Sequence, residues 1–274
     1  MTTLDEFVRK EYLPASEPPR NRPGTYTRKL GLATHVLRHL GGFPLRVLGP
    51  GDIERFMSRR MKEVTYKDTP PSPAEINRER SFLSAALNMA LRRGMIERNP
   101  AAAVRKLRED NERDRTLTRE EEERILSLSA DWLRPLIVTA LNTGMREGEI
   151  VGIQWIDVDR EKGFIRVSHA SKSHKVRYVP INAAVDEILD RDRKCLSAHV
   201  FANPKTGKPY RADSVYHAFK RAAIRAGLND VVFHTLRHTC VSRLVLAGVP
   251  DRKIMKMVGH SSPHMVGRYT HLAP

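Results

Sequence analysis

The chain has 274 residues, 40% of them hydrophobic, enough for one large domain or two ordinary ones with real cores. Its 48 Lys and Arg against 32 acidic residues give a net charge of +16, which favours a polyanionic partner through steering and counterion release. Cys195 and Cys240 form no CxxC pattern, which excludes a disulfide framework, and apolar runs no longer than stretches such as 136–141 exclude a bilayer span.

The start, MTTLDEFVRKEYLP, lacks the apolar run of a signal peptide, so a soluble, cytoplasmic protein is expected. Residues 1–110 and 111–274 each carry an excess of +8, which suits two domains gripping one duplex better than a charged tail. A basic, solvated surface would give the same totals.

Taken in order, Thr3 with Glu6 predicts a capping box before a short helix, followed by a proline-rich loop over 13–24. Thr25 is expected to cap a helix running to about His39, and Asp52 another reaching the early 60s. Ser72-Pro73 with Glu75 is a full helix-start signal. Phe82, Leu83, Ala86, Leu87, Ala90 and Leu91 then recur at helical spacing, and Gly94 closes that helix. Residues 99–117 turn polar and charged and read as a short helix followed by a linker. The expected organisation is a helical domain over 1–105, a linker over 106–117 and a second domain over 118–274.

Thr118 with Glu121 opens the second domain through another capping box, with helices over 118–129, 132–142 and 146–152. Alternating apolar residues at 154–159, 164–169 and 176–181 predict a three-stranded antiparallel sheet. Helices resume over 182–194, 213–226, 235–247 and 250–258, with a last short one from about Ser262. The fold class is mainly α with a small antiparallel sheet.

Several side chains in this second half carry chemistry. Arg146 follows a Thr143-Gly144 turn and is expected in the first turn of a helix, where backbone N–H groups also favour anions; Glu149 shares its face. An Arg–Glu pair is also ordinary surface decoration. His234 and Arg237, three apart on one helix, can offer a phosphate an imidazole and a planar two-pronged donor. Lys172, at a hairpin tip, can protonate a leaving oxygen, with Lys175 as its neighbour and rival. Tyr269 is a nucleophile if cations favour its phenolate, and an aromatic anchor otherwise. His234 and His238 also have the i, i+4 spacing of a zinc site, with His260, His264 and His271 as further ligands, but Thr235 stands where HExxH has its glutamate.

In conjunction these residues are more specific. ALNTGMREGEIVGIQWIDVD (140–159), FHTLRHTCVSRLVLAGVP (233–250) and MVGHSSPHMVGRYTHL (257–272) resemble the catalytic boxes of the tyrosine recombinase (phage integrase) family over most of 115–274. Residues 1–105 resemble that family's helical core-binding domain more loosely.

The resemblance implies that Tyr269 attacks the scissile phosphate to form a 3′-phosphotyrosine, with Arg146 and Arg237 on the non-bridging oxygens. It implies that Lys172 protonates the leaving 5′-oxygen, that His234 assists proton transfer, that His260 bonds the phosphate and that Glu149 supports them. No metal, ATP or other cofactor is implied. The implied partner is double-stranded DNA, bound as a homotetramer on two duplexes through a Holliday junction, with a monomer in free solution and an accessory DNA-bending protein as a further candidate. The chain starts almost at the core-binding helix and ends five residues after Tyr269, so the expectation is a two-domain recombinase without an arm-binding domain or a long docking tail. Competing readings are a type IB topoisomerase-like enzyme, which relaxes supercoils without pairing sites, a non-catalytic DNA-binding factor and a zinc protein.

Overall fold

The computed structural model describes residues 1–65, 68–109, 115–167, 176–192, 197–259 and 267. The chain divides into two compact units, Met1–Asn111 and Glu112–Pro274. No helix among the described residues is long and apolar enough to cross a membrane.

The first unit is helical. Its helices are α1 (Leu4–Phe7), α2 (Pro23–Leu40), α3 (Pro50–Arg60) and α4 (Pro73–Arg92). Thr3 and Glu6 cap α1 reciprocally, as do Ser72 and Glu75 at α4. Two expected caps are corrected. Arg22, not Thr25, is the N-cap of α2, because Pro23 takes the first helical position, where its missing N–H costs nothing. Gly49 caps α3, and Asp52 acts from inside the helix, its Oδ2 accepting the Gly49 N–H at 2.9 Å.

Phe7, Val36, Ile53, Phe56, Leu83 and Leu87 fill the core of this unit. Arg60 on α3 and Glu79 on α4 cross that core as a two-pronged ion pair at 2.9 and 2.7 Å, both at most 4% exposed. Hydrogen bonding to Glu79 comes first in raising the Arg60 pKa, so the guanidinium stays charged. The polar segment from residue 99 is less free than its composition implies. Ala101, within a 3-10 turn at Pro100–Ala102, and Val104 just after it are buried. Asn77 on α4 donates to the Leu107 carbonyl and accepts its N–H, each at 2.9 Å.

The second unit opens with α5 (Arg119–Ser127), capped by Thr118 and Glu121. Three contacts fasten the chain just before it. Arg115 bonds both Glu121 oxygens and Asp230 Oδ2, and the Leu117 N–H donates to Thr239 Oγ1 at 2.9 Å. Then come α6 (Arg134–Thr143) and α7 (Glu147–Val151). The sheet is β1 (Val158–Asp159), β2 (Phe164–Val167) and β3 (Arg177–Pro180), antiparallel in the order β1-β2-β3. Val158 faces Ile165, and Ile165 faces Val179.

The first expected strand is shorter than 154–159. Trp155–Asp157 is a 3-10 turn closed by the Asp157 N–H on the Gln154 carbonyl at 2.9 Å; Val158–Asp159 pairs with β2, while Gln154 makes only an isolated bridge to His199. Helices α8 (Ala183–Asp192), α9 (Ala212–Arg225), α10 (Phe233–Leu246) and α11 (Asp251–Val258) complete the unit. Leu136, Ile137, Ile150, Ile165, Val179, Phe219 and Leu236 bring α6, α7, the sheet, α9 and α10 into one core. The helix expected from Ser262 lies outside the described residues apart from Gly267.

Candidate functional site

Glu149 on α7 organises the site. Its side chain is 1% exposed, and its two oxygens take four hydrogen bonds. Oε2 accepts the Arg146 backbone N–H at 2.8 Å, and Oε1 accepts Arg146 Nη1 at 3.1 Å. Arg177 on β3 supplies the other two, Nη1 to Oε1 at 3.0 Å and Nη2 to Oε2 at 2.5 Å. Burial pushes the carboxyl pKa up, but Arg177 and then Arg146 outweigh it and hold the group below its ordinary value.

Arg146 is the N-cap of α7, with extended backbone (φ −72°, ψ 151°), and is not in the first turn as expected. Glu149, the third residue of α7, reaches back to accept the Arg146 N–H, which holds Arg146 at the cap just outside the helix. Arg146 keeps 44% of its side chain exposed, and its Nη2 reaches the Gly259 carbonyl at 3.4 Å.

Arg237 sits on α10, 3% exposed. Its Nη1 donates to the Gly144 carbonyl at 2.6 Å, while Nη2 is buried with no hydrogen-bond partner among the described residues. Burial first, then Arg146, lowers its pKa to about 10, so it remains cationic at neutral pH. Gly144 makes this contact through a left-handed turn (φ +61°) that ends α6. A Cβ there would stand 2.9 Å from Val258 Cγ1 and 3.4 Å from Cys240 Sγ.

His234 stays open to solvent on one side, and on the other its ring meets that of His238 edge-on at 4.8 Å. Loss of water to the surrounding protein comes first in lowering its pKa to about 4, followed by His238, Arg237 and Arg146. The imidazole is therefore neutral at physiological pH, able to accept a proton or donate one from its ring N–H. No group of three or more His, Cys, Asp or Glu among the described residues is placed to hold a metal ion.

Of the residues singled out from sequence, Arg146, Glu149, His234 and Arg237 meet here. Lys172, His260 and Tyr269 lie outside the described residues, as do Lys175, Cys195, His264 and His271. Two further participants carry no short-range sequence signal. Arg177 occupies a strand position in register with buried Val179, and an arginine facing inward needs a carboxylate. Glu147, next to Arg146, has its pKa raised to about 7 by burial and then by Asp213. Three arginines facing the single carboxylate of Glu149 leave the site strongly cationic, fit for a dianion or a transition state that gathers negative charge.

A profile of the Phage integrase family matches residues 115–274. The shufflon-specific DNA recombinase of Escherichia coli is 30% identical over 81% of this chain and 57% of that protein. The integrase of Salmonella phage P22 is 31% identical over 76% of this chain and 57% of that protein. The chain thus spans little more than half the length of either relative. Among solved structures, a lambda integrase tetramer bound to a Holliday junction superposes with a TM-score of 0.81 at 24% identity, covering 97% of this chain and 77% of that one. The Tn1549 transposon integrase in complex with circular intermediate DNA gives 0.80 at 23% identity, covering 98% and 95%. At such identities these two structures speak for the fold, and with the profile spanning more than half of the chain, over 115–274, the chain belongs to the phage integrase family.

Proposed function

We propose that this protein is a site-specific DNA recombinase that cleaves and rejoins strands through a 3′-phosphotyrosine. The observation carrying the proposal is the buried Arg237, whose Nη2 has no partner among the described residues, beside Arg146 on the same cationic site. A buried guanidinium donor left open is costly unless a ligand completes it, and a phosphate oxygen does so with charge assistance.

In this reading the Tyr269 oxygen attacks the scissile phosphorus, and the bond to the 5′-oxygen breaks. Lys172 gives that oxygen a proton, so a 5′-hydroxyl leaves. Neutral His234 handles the tyrosine proton, and His260 adds a bond to the phosphate. Arg146 and Arg237 hold the non-bridging oxygens as their charge grows. The phosphodiester energy stays in the phosphotyrosine, so attack by a partner strand's 5′-hydroxyl reverses the step with no call for ATP or metal. The first unit serves as the core-binding domain on double-stranded DNA. Four protomers act on two duplexes through a Holliday junction, in the cytoplasm, with a DNA-bending protein as an accessory.

The test begins with metal-free covalent capture from a randomised pool of nicked duplexes, which yields both the site and the phosphotyrosine band. The wild type is expected to give a covalent band and Tyr269→Phe none, with DNA binding retained. Undiminished cleavage by Tyr269→Phe would overturn the assignment. Recombination of a two-site plasmid, against relaxation of a one-site plasmid, separates a recombinase from a topoisomerase.

A further inference from the structure

We propose that Arg177 is a positioning residue for the arginine clamp, acting on Arg146 through Glu149 and tying both to the end of α11. This rests on the phosphate-transfer reading above.

Arg177 is itself ill placed to be a ligand. Its side chain is 9% exposed, and all three of its nitrogens are engaged: Nη1 and Nη2 by Glu149, and Nε by the Met257 carbonyl at 2.9 Å. Its guanidinium lies so close to Gly259 that a Cβ there would come within 3.3 Å of Arg177 Cδ, Cζ and Nε. Arg146 reaches the carbonyl of that same glycine. Arg177 therefore joins three pieces of chain: its own strand, the start of α7 and the left-handed turn that ends α11.

The carboxylate between the two arginines explains what this joining does. A carboxylate offers about four lone-pair positions, and Glu149 has all four filled, two by Arg177 and two by Arg146. With Arg177 present, Glu149 is neutralised from behind, and Arg146 gives it only one side-chain bond, at 3.1 Å. The rest of the Arg146 guanidinium stays available for an incoming anion. Without Arg177, a buried carboxylate loses two donors and half its neutralisation. It then draws Arg146 into a full ion pair, subtracting that cation from the clamp, or it takes up a proton and releases Arg146 from its alignment. A lysine restores the charge but not the planar fork, so it repairs the site only in part.

The experiment uses the full chain and the duplex recovered by covalent capture, made with either the native scissile phosphate or a methylphosphonate in its place. The methylphosphonate lacks the negative charge that the arginines neutralise, so damage confined to the clamp is muted on it. Arg177→Met is expected to slow cleavage of the native duplex about 10- to 100-fold, the usual range for partners that orient a primary ligand. DNA binding should stay within about threefold and the defect should shrink to a few-fold on the methylphosphonate duplex. Arg177→Lys should fall between Arg177→Met and the wild type. Because the route runs through Glu149, the defects of Arg177→Met and Glu149→Gln should be non-additive in the double variant. Equal losses on both duplexes, or additive defects, would overturn the inference and leave Arg177 a structural residue. If Arg177→Met does not fold, Arg177→Lys on the two duplexes decides by the same ratio. If covalent capture from the randomised pool recovers no duplex with the wild type, the phosphate-transfer reading itself fails and the inference goes with it.

Discussion

Arg237 Nη1 donates to the carbonyl oxygen of Gly144 at 2.6 Å, so a glycine at the end of one helix fixes the guanidinium of another. The bond occupies one side of the fork and leaves buried Nη2 as the donor to be completed. Replacement of Arg237 by lysine keeps a cation but cannot serve both sides at once. Arg237→Lys is expected to lower the single-turnover cleavage rate by roughly 10²- to 10³-fold, the scale for removing one preorganised donor. Gel-shift affinity for the same duplex should change little.

Gly144→Ala tests the other end of that bond. The left-handed backbone and the 2.9 Å approach to Val258 both oppose a methyl group there. A destabilisation of about 1–3 kcal/mol is expected in urea melts from the combined strain and overpacking. Cleavage should fall beyond what stability explains, because the carbonyl holding Arg237 shifts.

Glu147 gives the molecule a pH signature. Its folded pKa, raised from 4.5 to about 7, lies above its unfolded value, so the folded state holds its proton more tightly. Its contribution to stability is therefore fully present below pH 4.5 and is lost as pH rises through 7. Glu147→Gln removes the charge that burial and Asp213 oppose. The variant should gain stability over the wild type at pH 8, by about 1–3 kcal/mol, and gain little at pH 5. Thermal melts at the two pH values check the difference; an equal gain at both would contradict it.

In the first unit, Arg60→Ala would strand Glu79 as a buried carboxylate without its two-pronged partner. A loss of about 3–5 kcal/mol is expected, the usual cost of breaking a buried pair from one side. Arg60→Met with Glu79→Met should recover most of it. Denaturant midpoints for the single and double variants measure both effects.

What was legible in the sequence was mostly local. The capping boxes at Ser72/Glu75 and Thr118/Glu121 involve residues three apart, and nothing distant competes with them. At α2 and α3 a proline at the first helical position moved the start away from the residue that seemed to be the cap. Ile156 seemed part of a strand by alternation but is 81% exposed in a 3-10 turn, since two residues later the pairing begins. The proximity of Arg146 and Arg237 was expected only through a family pattern. Arg177 was passed over because its partner, Glu149, lies 28 positions away and no short-range spacing signals such a pair. Burial set the unusual states of Glu147 and His234, and burial belongs to the packed chain, not to the string of residues.

The bond from the Leu117 N–H to Thr239 Oγ1 has a mechanical side. Thr239 lies two residues beyond Arg237 on α10, and the Arg115 links to Glu121 and Asp230 hold the same short stretch of chain from either side. A change in the backbone at Arg115 or Leu117 therefore bears directly on α10 through Thr239. The stretch from Arg115 to Leu117 is thus tied by side-chain bonds to the helix that carries His234 and Arg237 and to the residues just before it.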